Sequence, residues 1–454
     1  MTPAPLDRTT PVCQSGRLND SQLRPYAKDS TMDITSMIST GWMLTATIAV
    51  TLMLPGLALY YGGLSRTKNI LNTVIVVFGG FAVTAMLWVL YGYGLTLGNS
   101  VGGAGLIGDP AGLFGLGALL DEPTPEGAVP GLLVAVFQLI FAGLTVGIIG
   151  GAVEGRMKFS TWLIFSGVWA TLVYFPVAHW VFAFDSEDGS VIGGWIANRV
   201  GALDFAGGTA VHLNAGVAAL VLALFLGRRQ NFPQVGRPGN LPMAILGGGL
   251  LLVGWYGFNG GSSLGVNESA VVAVTNTLIA ACAGLLGWLL VERIRRGSAT
   301  SLGAMSGVLA GLVGITPAAN SVSPVGAIVI GLGAGMIAFF ALGLKEKLGY
   351  DDALDAVAIH MFPGIFGTVA IAFLADPTAP AEAAGLFYGG GLGLLGGQVL
   401  AVAAVFAYTF VVTAVIVWVL KATIGVRVTG GQESAGLDTS LHAETAYDVD
   451  DIRS

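Results

Sequence analysis

Charge is what this chain has least of. Only 10% of its 454 residues are Asp, Glu, Lys or Arg, against 54% hydrophobic residues. With a mean hydropathy of +0.77, that scarcity excludes a soluble domain of ordinary proportions and points to a polytopic membrane protein. Cysteine is almost missing: Cys13 lies in a polar extension and Cys282 in an apolar run, which excludes a disulfide framework. Histidine is rarer than tryptophan, with four residues against nine, so each imidazole needs a reason. Glycine is abundant, with 69 residues, and lies inside the apolar runs. That placement excludes collagen and flexible linkers and suits close helix packing in lipid.

Residues 1–36 are polar, with Pro3, Pro5, Pro11 and Pro25, and lack the apolar core of a cleavable signal. They read as a disordered extension, and Met32 and Met37 are alternative starts. Apolar windows of membrane-spanning length then fall near 40–62, 70–97, 129–151, 159–183, 204–227, 241–260, 269–291, 300–318, 323–343, 354–375 and 385–420. The expected fold is all-α, with eleven transmembrane helices, the last one long. The membrane domain spans 37–420 and a tail covers 421–454.

The cations give an orientation. Loops after odd-numbered spans hold Arg66 and Lys68; Arg156 and Lys158; Arg228, Arg229 and Arg237; Arg293, Arg295 and Arg296; Lys345 and Lys347. Loops after even-numbered spans hold only Arg199. By the positive-inside rule the N-terminus is outside and the tail cytoplasmic in a multi-pass protein of the cell membrane. The outer loops carry acids, among them Asp109, Asp121, Asp185, Asp188 and Glu268. Such a vestibule would concentrate cations, although loops that avoid positive charge would look the same.

The stretch "LDFAGGTAVHLNAGVAALVLALFLGRR", 203–229, puts Asp204 eight residues before His212 at the head of span five. Span ten repeats the pattern with Asp352 and His360. An ionisable residue in a membrane span costs about 2.5–3.5 kcal/mol on lenient scales and marks a functional position. A shift of five spans reverses each matched helix, so the two halves form a five-plus-five inverted repeat with the substrate path at their interface. His179 sits at the end of span four and His442 in the tail, which leaves His212 and His360 as a facing pair. A single histidine of this kind is more often structural; two at matching positions suit a neutral, hydrogen-bonded pair.

At this point the motifs resemble a known family. "MLPGLALYYGGLSRTKNIL" (53–71), "GALDFAGGTAVHLNAGVAAL" (201–220), "LPMAILGGGLLLVGWYGFNGGSS" (241–263) and "GLVGITPAA" (311–319) are similar to the Amt/Mep/Rh ammonium transporters, on the bacterial and archaeal Amt side. The resemblance implies a homotrimer with one pore per subunit, ammonium or ammonia as substrate, membrane lipid around it, no cofactor or metal, no nucleic-acid partner and no enzymatic activity. It implies His212 and His360 as the twin histidines of the pore. Asp204 would stand at the mouth as a structural acid, with Ser262, Phe141 and Phe182 at the recruitment site. Phe141 and Phe258 would form an aromatic gate, and Trp255 and Gln138 would line the pore.

Two positions depart from the family pattern. Phe182 in "PVAHWVFAF" stands where a tryptophan is usual, which weakens cation–π recruitment unless another aromatic such as Trp195 compensates. "HMFPGIFG" brings Met361 and Pro363 beside His360, where Pro363 should bend the span. The expected function is ammonium uptake: recruitment outside, deprotonation, and passage of ammonia past the histidines, with or without a proton relay. An ammonium sensor or transceptor and an ion-coupled transporter of a small amine are the alternatives; a fused signalling domain would favour the sensor, and paired Asn-Pro-Ala motifs, absent here, would favour a water or glycerol pore. By composition 430–454 reads as a solvated tail. "ESAGLDTSLHAETAY" (433–447) resembles the family's packed regulatory segment, which implies a PII-type partner.

Overall fold

The computed structural model describes residues 32–121, 123–234 and 236–447. Eleven helices among them are long and apolar enough to cross a membrane: α1 Ile34–Leu64, α2 Thr67–Leu97, α3 Gly131–Val153, α4 Phe159–Phe182, α5 Gly208–Leu226, α6 Leu241–Gly261, α7 Glu268–Arg296, α8 Ser301–Ala318, α9 Pro324–Leu348, α10 Val357–Leu374 and α11 Leu392–Thr423. Each expected window meets one of them. Most of the expected disordered extension, residues 1–31, lies outside the described residues. Its last residues are helical instead: Asp33 accepts from the Ser36 amide at 3.0 Å and caps α1, so a polar first turn precedes the apolar run.

Loop contacts show that successive helices cross in alternating directions. On one face Ser100 N donates to Ile192 O, Phe205 N to Pro317 O, and Asp376 N to Ser321 O; these residues follow even-numbered helices or, for Pro317, end one. On the other, Gly239 N donates to Ser65 O and Lys158 N to Val426 O. The first is called here the acidic face and the second the basic face. Helices five apart therefore run in opposite directions, as the inverted repeat requires.

Several helices are broken where proline removes a donor. Leu52 interrupts α1 three residues before Pro55, and a π-turn at Ala170–Tyr174 precedes Pro176 in α4. In α10 a π-turn at Val357–Met361 precedes Pro363, so the expected disturbance is a wide turn that carries His360. A π-turn also opens α5, at Gly208–Leu213, without a proline. Elsewhere the packing depends on missing side chains. A β-carbon on Gly335 of α9 would overlap the Gly284 carbonyl of α7, and one on Gly367 of α10 the Gly314 carbonyl of α8. At those crossings backbones touch, which is how packing substitutes for the hydrophobic effect between helices in lipid.

The tail forms two short helices, α12 Gly430–Ala435 and α13 Leu437–His442, docked on the basic face. A Thr429–Gln432 capping box starts α12. Glu433 accepts from the Gln230 amide at 2.9 Å and pairs with Arg427 at 2.7 Å. Asp438 caps the α-helical part of α2 through Leu71 N and Asn72 N, and burial raises its carboxyl above the ordinary range. Residues 430–447 are thus packed, against the compositional reading; 448–454 lie outside the described residues.

Candidate functional site

The site begins at the acidic face with a cavity of about 510 Å³ lined by Gln138, Phe182, Asp204, Phe205, Ser262 and Asn320. Asp204 is not within α5, as the sequence had suggested, but four residues before it. Its carboxylate accepts from Gly207 N at 2.8 Å, Gly208 N at 2.6 Å, Thr209 N at 2.8 Å, the Thr209 hydroxyl and Ala210 N at 3.3 Å. A helix N-terminus leaves four amides unsatisfied, and Gly207, at φ 114°, supplies the left-handed turn that aims them at one carboxylate. The Ser262 hydroxyl donates to Phe258 O at 2.8 Å. Its proton is committed, so what it offers the cavity is lone pairs.

Phe141 closes the floor of this mouth. It meets Phe182 edge-on, with centroids 6.4 Å apart, and stacks on Phe258 at 3.9 Å and 10°. Both stacked rings are almost wholly buried. Phe258, Trp255, His212 and His360 in turn line a second cavity of about 20 Å³, with Tyr60 and Tyr61 on its far side. That is room for about one water-sized guest.

The two histidines face each other Nδ1 to Nδ1 at 3.2 Å, with rings 5.3 Å apart and 17° from parallel. One Nδ1 must carry the proton and the other accept it, so the pair holds opposite tautomers when neutral. Nε2 of His212 is buried with no partner among the described residues. Trp255 stacks on His212 at 5.3 Å and 15°, and its indole N–H donates to Thr316 at 2.8 Å. Thr316 in turn donates to Leu312 O, which fixes the indole and through it the His212 ring.

Toward the basic face, α10 starts from Asp352. The ionic network there is buried: Arg229 clamps Asp351 through Nε at 2.9 Å and Nη2 at 2.8 Å and reaches Glu154 at 3.0 Å, and Arg156 pairs with Asp351 at 2.8 Å. Burial would raise the Asp351 carboxyl, but its bonds and charge pairing with Arg229 and Arg156 hold it below the ordinary value. Burial pulls the Arg156 guanidinium down to about 10, so it stays charged near neutrality. Asn69 joins this network to the tail, donating to Glu154 at 2.8 Å and accepting from Leu437 N at 2.9 Å.

A polar cavity and a small apolar one, separated by stacked rings inside a bundle of eleven spans, define a membrane transport protein. The comparisons specify which kind. The model of the Ammonium Transporter Family matches residues 41–447. An ammonium transporter of Mycobacterium tuberculosis (strain ATCC 25618 / H37Rv) is 47% identical over 431 residues, 90% of each chain. Among solved structures, Mep2 of Saccharomyces cerevisiae superposes with a TM-score of 0.78 at 33% identity, covering 88% of this chain and 92% of that one. A structure described as a sensor Amt protein gives 0.80 at 30% identity, covering 90% and 99%. The chain belongs to the ammonium transporter family, whose members are transporters and not enzymes.

Of the residues singled out in the sequence, Ser262, Phe182, Asp204 and Gln138 gather at the mouth. His212, His360, Trp255 and Phe258 meet at the inner cavity, and Phe141 joins the two groups. Gln138, on α3 about one turn before Phe141, lines the mouth cavity. Trp195 does not compensate for the missing indole: it packs edge-on against Trp180 at 5.8 Å and does not line the mouth. Met361 packs against Gly216 of α5 and is not among the residues that line the inner cavity. Sequence reasoning missed Phe205, Tyr60, Tyr61 and Thr316. All four lie inside the quoted motifs, but nothing in their spacing says which side chains turn inward.

Proposed function

We propose that this chain takes up ammonium by recruiting the cation at the mouth and passing ammonia through the inner cavity. The observation that carries the reading is the stacked Phe141–Phe258 pair between a polar cavity and an apolar one of about 20 Å³. At the mouth, the Ser262 lone pairs suit an ion that donates hydrogen bonds, and the Phe182 and Phe141 faces offer about 0.5–2 kcal/mol per cation–π contact. Asp204, with its carboxylate filled by backbone donors, contributes field and shape. Ammonium and potassium are of similar size, so a discriminating step must use what only ammonium has: directional N–H donors and a removable proton.

Carrying a cation into the inner cavity costs several kcal/mol or more. Giving up a proton near neutral pH costs about 3 kcal/mol, at about 1.36 per unit over roughly two units. Shedding the proton is the easier route. Two helix N-termini, those of α5 and α10, also converge on the histidine pair, and their positive ends disfavour a cation there. His212 and His360 would hold ammonia by hydrogen bonds and could pass its proton along. Currents on a supported membrane after an ammonium pulse test this: charge movement with uptake supports a relay, and uptake without charge movement leaves a neutral ammonia path. Potassium uptake equal to that of ammonium would overturn the selectivity argument.

The same reading places the acidic face outside and the basic face, with the tail, in the cytoplasm, supported by the lysines and arginines of the odd loops. It divides the chain into an extension (1–36), a membrane domain (37–420) and a regulatory tail (421–454). A homotrimer and a PII-type partner on the basic face follow from the family resemblance, and the docked α12 and α13 support a tail that can be read by a partner. A sensor role is the second reading, supported by the similarity to the structure described as a sensor Amt protein; ammonium binding at the mouth without uptake would favour it. Saturable uptake of larger amines would favour the amine transporter, which a cavity of about 20 Å³ opposes.

A further inference from the structure

The acid that starts α10 is incompletely bonded. Asp352 is buried, 1% exposed, and its Oδ2 accepts from Val357 N, the first amide of the π-turn that carries His360, at 2.7 Å. Its Oδ1 has no hydrogen-bond partner among the described residues. The charged and titratable groups around it come from every side. Lys345 of α9 donates to the Asp352 carbonyl and pairs with Asp355, and Arg156, from the α3–α4 loop, acts on the carboxyl by charge. Tyr61 of α1 and Tyr350 feel the Asp352 charge, and Asp351 beside it is taken by Arg229 and Arg156. Among the described residues no donor reaches Oδ1.

We propose that Asp352 is a positioning residue for His360: ionised, its carboxylate holds the first amide of α10 and with it the π-turn that presents His360 to His212, and a proton taken from the basic-face side onto Oδ1 loosens that hold. The inference rests on the twin-histidine reading of the pore. A buried carboxylate with one orphan oxygen carries an unmet acceptor, and protonation relieves it. In support, burial first, and the charge of Asp355 second, push the carboxyl up to about 6, against Lys345 and Arg156. The ionised form gives the stronger, charge-assisted bond to Val357 N. Conduction is therefore firm above that value and falls as the basic-face side acidifies.

The test uses the full chain in proteoliposomes, with ammonium uptake recorded at constant ammonium on the acidic-face side while the basic-face side is taken from about pH 8 to 5, and Asp352 followed by infrared difference spectroscopy. The wild type is expected to lose conduction with a midpoint near about 6 and to show a protonated-carboxyl band that grows over the same range. Asp352→Asn should lack that band and give a flat profile at the acid-limb level. Asp352→Glu should restore a pH-dependent profile, which keeps the test valid if the Asn variant folds poorly. An Asp352→Asn profile matching wild type, or a wild type without the titrating band, overturns the proposal. His360→Ala separates the two readings. If that variant conducts like wild type, the histidine pore fails; if it does not conduct while Asp352→Asn keeps the wild-type profile, only the role of Asp352 fails.

Discussion

The two halves of the molecule present the same acid-to-histidine spacing and use it differently. In the first, Asp204 receives five donors from Gly207 to Ala210. In the second, Asp352 receives one among the described residues, from Val357 N, and keeps an orphan oxygen there. The difference lies in the few residues after each acid. Gly207 takes a φ of 114° and folds the next amides back toward Asp204. In the other half Asp355 takes the left-handed turn, at φ 64°, and gives its side chain to Lys345. A repeat thus preserves the meeting of two helix ends while one acid becomes a saturated structural cap and the other remains able to take a proton.

The comparison breaks most clearly by removing each acid. Asp204→Ala strands several amides at about 1–3 kcal/mol each, so yield and uptake should collapse, whereas Asp352→Ala strands one and should fold. Equal losses in thermal stability would refute the asymmetry. Next, His212→Ala and His360→Ala should each abolish uptake or admit potassium, and the double variant should be no worse than either. Additive losses, measured as uptake rates, would mean that the rings act separately.

A smaller effect sharpens the contrast in charge. Asp352 has its folded pKa raised to about 6 from 3.8, so the stability it contributes is present below the unfolded value and lost as pH rises through about 6. Asp352→Asn should therefore raise the melting temperature at pH 8 by the equivalent of about 1–3 kcal/mol and change little below pH 4. Asp351 runs the other way: its pKa is lowered, and its contribution is present above the unfolded value and lost as pH falls through the folded one. At the mouth, Phe182→Trp should tighten ammonium recruitment by about 0.5–1 kcal/mol, seen as a lower half-saturating concentration at unchanged maximal rate.

The eleven spans were legible because the bilayer accepts only long apolar helices, and each window met its helix within a few residues at most boundaries. The facing histidines were legible because imidazoles are too rare here for a matched pair to pass unnoticed. The acids were misplaced. Hydropathy windows include Asp204 in span five, but a carboxylate that fills helix-end amides must sit before the helix, and no periodicity reports that. The docking of α12 and α13 was hidden for a related reason: a tail stabilised by Asn69, Gln230 and Arg427 looks, residue by residue, like a solvated one.

Composition and order alone therefore determined that the chain lies in a membrane, how often it crosses, and which two imidazoles could meet, because those properties follow from local apolarity and spacing. Only the tertiary structure decided that Trp195 turns away and Phe182 toward the mouth, that Phe141 and Phe258 stack, and that Asp204 is saturated while Asp352 is not. Each of these depends on groups brought from distant helices, and whether a buried polar atom finds a partner is a property of that assembly and not of its own stretch of chain.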